Sequence, residues 1–183
     1  GYYVHAIIAG GVAEIGFDTS ATAANLVADH SATAYRPIGY VVTDGSSNII
    51  AYTQVGDYFR FTGDIVSDIV DSTITNNTFE VGALSVPISS LAHIYVSISN
   101  KTEMNGRYEA VVRTNGAVDA IGSYVEAFIG GEHLSTVFDV VTTQGLVLVD
   151  GSSQIEYAAD ENSGATTLSI STIGFTMLKR SNL

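Results

Sequence analysis

Apolar and polar positions alternate one by one along several stretches of the chain. In residues 91–99, Ile94, Val96 and Ile98 fall on one side, and His93, Tyr95 and Ser97 on the other. In residues 167–171, Leu168 and Ile170 alternate with Thr167, Ser169 and Ser171. Ile155 and Tyr157 share a side within residues 154–157. A period of two sends successive side chains to opposite faces of a strand. Each stretch therefore predicts a half-buried strand of an antiparallel sheet.

Turn residues punctuate these runs. Thr43-Asp44-Gly45-Ser46-Ser47-Asn48 separates the apolar runs 38–42 and 49–53, and Val149-Asp150-Gly151-Ser152-Ser153-Gln154 separates 146–149 from 155–158. Aspartate can cap a turn and glycine can take φ > 0, so both read as hairpins with Gly45 and Gly151 in that conformation. The flanks differ, so the likeness reads as shared turn chemistry and not as an internal repeat. Asn115-Gly116, between 108–113 and 117–121, is a third hairpin signal. Gly10-Gly11, between 3–8 and 12–17, is a fourth. Residues 20–29 are alanine-rich and read equally as one or two helical turns or as a surface loop ending at Arg36-Pro37. The polar stretch 62–78 reads as an excursion between two halves of one sandwich.

Short strands at regular spacing predict an all-β fold, a jelly-roll-like antiparallel β-sandwich, with residues 1–183 as one domain. The chain begins at Gly1 and not Met, and it reads as a fragment of, or a product processed from, a longer chain. Apolar residues make up 46% and charged residues only 14%. That balance, without an apolar run long enough to span a bilayer, predicts surface hidden in an oligomer.

The net charge is −12, from 7 Lys+Arg against 19 Asp+Glu. The seven cations are scattered, so no phosphate-binding patch forms and no nucleic-acid partner is expected. Anionic membranes would repel the chain, and no membrane insertion is expected. Cysteine is absent, which removes disulfides and thiol chemistry.

Candidate chemistry is sparse. His5, His30, His93 and His133 show no metal-ligand spacing. Asp64, Asp68 and Asp71, with Asp57 nearby, form an oxygen-rich cluster of the kind calcium prefers, but their spacing departs from Asp-x-Asp-x-Asp-Gly. Residues 160–164 form a second oxygen-rich loop. The alternative for both is a solvated acidic loop. There is no Gly-x-Ser-x-Gly elbow, phosphate loop or dinucleotide fingerprint. No catalytic residue and no cofactor are expected. Ten tyrosines without a tryptophan offer stacking faces for sugars or anchors for an interface, with Tyr58, Tyr95 and Tyr124 as candidate ligand contacts.

Three segments carry a resemblance. They are Tyr2-Tyr3-Val4-His5-Ala6-Ile7-Ile8, Gly16-Phe17-Asp18-Thr19-Ser20, and the run from Tyr35-Arg36-Pro37-Ile38-Gly39 through Thr43-Asp44-Gly45-Ser46-Ser47-Asn48-Ile49-Ile50. With Gly56-Asp57-Tyr58-Phe59, they resemble a module of bacteriophage tail-fibre and other virion appendage proteins. The resemblance covers residues 2–61 and is looser at Leu84-Ser85-Val86-Pro87 and Gly174-Phe175. Pro37 stands where the module usually has a second arginine. The resemblance implies a virion-surface, extracellular protein that assembles as a homotrimer with other virion proteins. It would contact host glycan or protein by binding and not by turnover. The rival readings are a capsid or head decoration protein, a carbohydrate-binding module or glycan depolymerase, and a bacterial surface adhesin.

Overall fold

Gly10 and Gly11 lie at φ +58° and +82°. They join β1 (Tyr2–Ala9) to β2 (Val12–Asp18) as the sequence predicts. Two successive residues at positive φ give a turn whose twist matches the paired strands, and only glycine enters both positions without strain. A computed structural model describes residues 1–63, 65–74, 78–100, 106–117, 127–133, 139–160 and 166–178. Among these residues it shows antiparallel sheets and one short helix, with the chain divided into two compact units, Gly1–Ala51 and Tyr52–Leu183.

In the first unit β3 (Ala32–Val41) pairs with the other side of β1, giving the order β2-β1-β3. Pro37 has no N–H to donate, and it sits on this edge strand where the register slips between Val4↔Gly39 and His5↔Pro37. An edge and a bulge are the places where a sheet tolerates proline. The alanine-rich segment contains helix α1 (Ala24–His30). Its Leu26 joins Ile7, Ala23 and Ala32 in a small core. Gly16 makes room for it, since a Cβ there would lie 2.7 Å from Leu26 Cδ1.

The second unit holds two sheets. One has the order β10-β9-β12-β7, built from β7 (Glu80–Ala83), β9 (Gly106–Thr114), β10 (Ala127–His133) and β12 (Gln154–Asp160). The other has the order β11-β8-β13-β5-β4, from β4 (Tyr52–Val55), β5 (Tyr58–Phe61), β8 (Leu91–Asn100), β11 (Asp139–Leu148) and β13 (Thr166–Thr176). β6 (Val66–Thr73) also pairs with β13, so the stretch 62–78 contributes a strand. Ile94, Val96 and Ile98 of β8, Leu168 and Ile170 of β13, and Ile155 and Tyr157 of β12 are all buried, as their alternation predicts. Phe59 stacks on Phe175 at 4.7 Å between ring centroids. Gly174 lies so close to the Phe59 carbonyl and Arg60 Cα that any side chain there would displace backbone.

Both Asp-Gly-Ser-Ser segments form tight loops; the first closes a minimal hairpin and the second does not. The first closes a single bridge, Thr43↔Ile49, while β4 pairs with β5 instead. The second carries the chain from β11 in one sheet to β12 in the other. Positive φ falls on Ser47 (66°) and Ser153 (59°), not on Gly45 or Gly151. The cause is the aspartate. Asp44 Oδ1 accepts from the backbone N–H of Ser46 and of Asn48, both at 2.8 Å. The N–H of Ser47 reaches the Asp44 carbonyl at 3.1 Å. Asp150 does the same with Ser152 (2.7 Å), Gln154 (2.8 Å) and Ser153 (3.2 Å). This ring of bonds places the left-handed residue three positions after the aspartate, on serine. The Asn115-Gly116 turn also forms, with Gly116 at φ +80° and Ala117 N–H on the Thr114 carbonyl. β9 pairs with β10 on one side and β12 on the other, while residues 118–121 lie outside the described residues.

Candidate functional site

The alternation of β8 sends His93, Tyr95, Ser97 and Ser99 to the face of the six-stranded sheet opposite Ile94, Val96 and Ile98. Cross-strand register extends that face. Gln144 of β11 pairs with Tyr95, and Thr142 with Ser97. Ser171 and Ser169 of β13 pair with Tyr95 and Ser97. The Tyr58 ring of β5 lies 4.7 Å from the His93 ring, tilted by 33°. The fold therefore places Tyr58 against His93, with Tyr95 two residues along the same strand; both are predicted ligand contacts. Tyr124 lies outside the described residues.

Hydrogen bonds fix these side chains. His93 Nε2 and Thr176 Oγ1 are 3.0 Å apart, and Gln144 Nε2 donates to Tyr95 Oη at 2.6 Å. Burial holds the His93 pKa below the usual histidine range, which keeps the ring neutral at pH 7. The strip thus offers ring faces, an imidazole, an amide and hydroxyls. Stacking and hydrogen bonding to a neutral, hydroxyl-bearing ligand are within its chemistry.

The predicted acidic cluster is arranged differently. Asp64 lies outside the described residues. Asp68 accepts the Ser85 N–H at 2.9 Å and the Thr172 hydroxyl, and Thr172 is itself buried. Desolvation pushes the Asp68 carboxyl above its usual range despite the bonds from Ser85 and Thr172. Asp71 stands at a break in the β6–β13 register, at φ +46°, with its N–H on Ser169 Oγ and its carboxylate facing the Thr167 hydroxyl. The two carboxylates serve separate partners. Among the described residues, no group of three or more His, Cys, Asp or Glu side chains could hold a metal ion. Of residues 160–164, those from 161 onward lie outside the described residues.

A third polar centre escaped sequence reasoning. The Asp18 side chain in the first unit is buried and accepts four hydrogen bonds. Ser20 N–H (2.8 Å) and Asn25 Nδ2 (2.7 Å) reach Oδ1, and the N–H groups of Asn25 (2.9 Å) and Leu26 (3.0 Å) reach Oδ2. Desolvation raises its pKa, but the bonds from Ser20, Leu26 and Asn25 outweigh it and hold the carboxyl below its usual range. This carboxylate ties the first turn of α1 to β2, a role normally filled by a capping residue adjacent to the helix. The buried His5 ring joins the same loop through Nε2 to the Ser20 carbonyl at 3.1 Å. The readable signal was Asp18-Thr19-Ser20, since an aspartate two residues before a serine can close a side-chain turn.

No protein-family model matches the chain, and no curated protein matches it significantly.

Proposed function

We propose that the chain is a structural domain of a bacteriophage tail fibre or spike, displayed on the virion surface, where it attaches to host glycan or protein by binding alone. In this reading it is a jelly-roll-like β-sandwich that assembles as a homotrimer beside other virion proteins. The observation that carries the reading is the use made of the resembling residues in the first unit. Gly16 seats Leu26, Asp18 holds α1, Pro37 sits at an edge bulge, and Asp44 organises its loop. Each of these roles builds the fold, which suits a structural module better than a catalytic one. Exposed apolar side chains favour assembly. On the sheet face that includes Ile8, Ile15 and Phe17, the last two are 58% and 54% exposed. Contiguous apolar surface of this kind marks interaction sites. The Tyr58–His93–Tyr95 strip supplies the ligand contacts.

Light scattering at micromolar concentration tests assembly; a trimer is expected, and a clean monomer would remove that part of the reading. Immunogold labelling of virions should decorate the tail, whereas label on the head would favour a decoration protein. Release of oligosaccharide from host polysaccharide would overturn attachment without turnover. Replacing both Tyr58 and Tyr95 by alanine should weaken host-cell binding several-fold, the scale of lost aromatic stacking.

A further inference from the structure

The two Asp-Gly-Ser-Ser loops share one internal geometry but meet different surroundings. Aligned on their aspartates, Thr43 corresponds to Val149, Asn48 to Gln154 and Ile49 to Ile155. In the second unit the two ends of the loop continue the β12–β7 and β11–β8 ladders, and so meet the segment between β7 and β8. Leu84 N–H reaches the Ser153 carbonyl at 2.9 Å, and Ser89 N–H reaches the Asp150 carbonyl at 2.9 Å. Val149 N–H donates to the Ser90 carbonyl at 3.0 Å, and Ser153 Oγ donates to the Val86 carbonyl at 2.8 Å. Leu84, Val86 and Pro87 of that receiver are buried, and Ile155 is 0% exposed.

In the first unit the matching groups are formed and vacant. The N–H of Thr43, the carbonyl of Ser47 and the hydroxyl of Ser47 find no hydrogen-bond partner among the described residues. Ile49, in the position of Ile155, is 57% exposed. Asn48, one methylene shorter than Gln154, folds its amide back onto Asp44 Oδ2 at 3.1 Å. It thereby does for Asp44 what Asn115 Nδ2 does for Asp150 at 2.8 Å. The carboxylate is satisfied within the loop, and the Thr43 N–H and the Ser47 carbonyl and hydroxyl stand open beside the exposed Ile49.

We propose that the loop Asp44–Asn48, with Ile49, is a preformed plug for an extended, uncharged, apolar segment of another polypeptide chain, of the kind that residues 84–90 supply to the Asp150 loop. The partner is a different protein and not a second copy, because the receiver segment of this chain is already filled by its own Asp150 loop. Main-chain pairing would supply alignment, and burial of Ile49 would supply affinity. The inference rests on the internal comparison and stands apart from the fibre reading.

The probe is a peptide with the sequence of residues 82–91, titrated into the isotopically labelled full chain and followed by amide chemical shifts. Saturable shifts are expected at residues 43–49, with little change at 150–154. The Ile49→Ser variant keeps the loop's hydrogen bonds, and its apparent affinity should fall about tenfold, the scale of one lost aliphatic burial. No shift at millimolar peptide, equal shifts with a scrambled peptide, an unchanged affinity in Ile49→Ser, or shifts centred on 150–154 would each overturn the proposal.

Discussion

The loop at Asp44 and the loop at Asp150 are written in nearly the same letters and fold into the same ring of hydrogen bonds, yet they do different work. One closes a single exposed bridge; the other turns the chain from one sheet to the next. Five residues suffice to specify the loop, because an aspartate carboxylate that takes two backbone N–H groups leaves little conformational choice. They do not specify what the loop connects. That is decided by the flanks and by the receiver at residues 84–90, far away in sequence. The isoleucine one place past each loop records the difference, buried in one and exposed in the other.

Those isoleucines should show the largest difference between the two loops. Ile155→Ala removes a fully buried side chain that pairs with Gly82 across β12 and β7, and should cost about 3 kcal/mol, with a cavity left behind. Ile49→Ala should change stability by less than about 0.5 kcal/mol. Urea unfolding of the two variants measures both. Equal losses would mean that the first loop is as firmly seated as the second.

The aspartates come next. Asp150 binds Ser152, Gln154 and Asn115 and so ties its loop to the start of β12 and to the turn after β9. Asp150→Ala should cost about 2 kcal/mol, since charge-assisted bonds are lost and Asn115 keeps only Gln154 as acceptor. Asp44→Ala should cost less, since its bonds stay within its own loop, and it should speed hydrogen exchange at the amides of Ser46 and Asn48. Acid should loosen both loops. The bond from the Asn48 backbone heads those that lower Asp44. For Asp150, desolvation raises the pKa, but the bonds from Gln154, Asn115 and Ser152 outweigh it. A depressed folded pKa gives stability that is present above the ordinary value of 3.8 and is lost as pH falls through the folded value.

Asp68 has the opposite sign and gives a smaller effect. Burial raises its pKa, so its ionised form weakens the fold, and stability is regained as pH falls from the raised value toward 3.8. Asp68→Asn keeps an acceptor for Ser85 N–H and offers a donor to Thr172. The variant should match or exceed the parent at pH 7, and its advantage should vanish near pH 4. Denaturation midpoints across that range read the difference; an advantage that grows on acidification would reverse the assignment.

The residues that spoke clearly in the sequence were those whose message is local. Ile94, Val96 and Ile98 announced a one-sided strand, and Gly10-Gly11 announced a hairpin. Partner choice was not readable. The Asp150 loop has the signature of a hairpin, but strand pairing depends on contacts distant in sequence, and β11 and β12 find separate sheets. β6 was hidden for another reason. Register breaks near Asp68 and Asp71 interrupt its alternation, so Val66–Thr73 reads as polar loop. The candidate strip was legible only in part. Tyr95 beside His93 follows from a period of two, whereas Tyr58 reaches His93 only through β13, which pairs with both their strands.

The least expected effect lies at the glycines. A turn with glycine after aspartate suggests that Gly45 and Gly151 are required for positive φ, and that any side chain there would strain the loop. The aspartate ring moves that demand to Ser47 and Ser153. A Cβ added at Gly45 or Gly151 meets nothing within 4 Å. Gly45→Ala and Gly151→Ala should therefore be neutral or stabilise by up to about 0.5 kcal/mol, because alanine restricts the unfolded chain more than glycine does. Ser47→Gly and Ser153→Gly relieve a left-handed serine. Ser153→Gly also loses the hydroxyl bond to the Val86 carbonyl, which Ser47 does not make. The serine pair should thus split, with Ser47→Gly more favourable than Ser153→Gly by about 1 kcal/mol, one hydrogen bond's worth. Thermal unfolding of the four variants reads this. Identical shifts for the two serines would mean that docking of the second loop adds nothing to its stability.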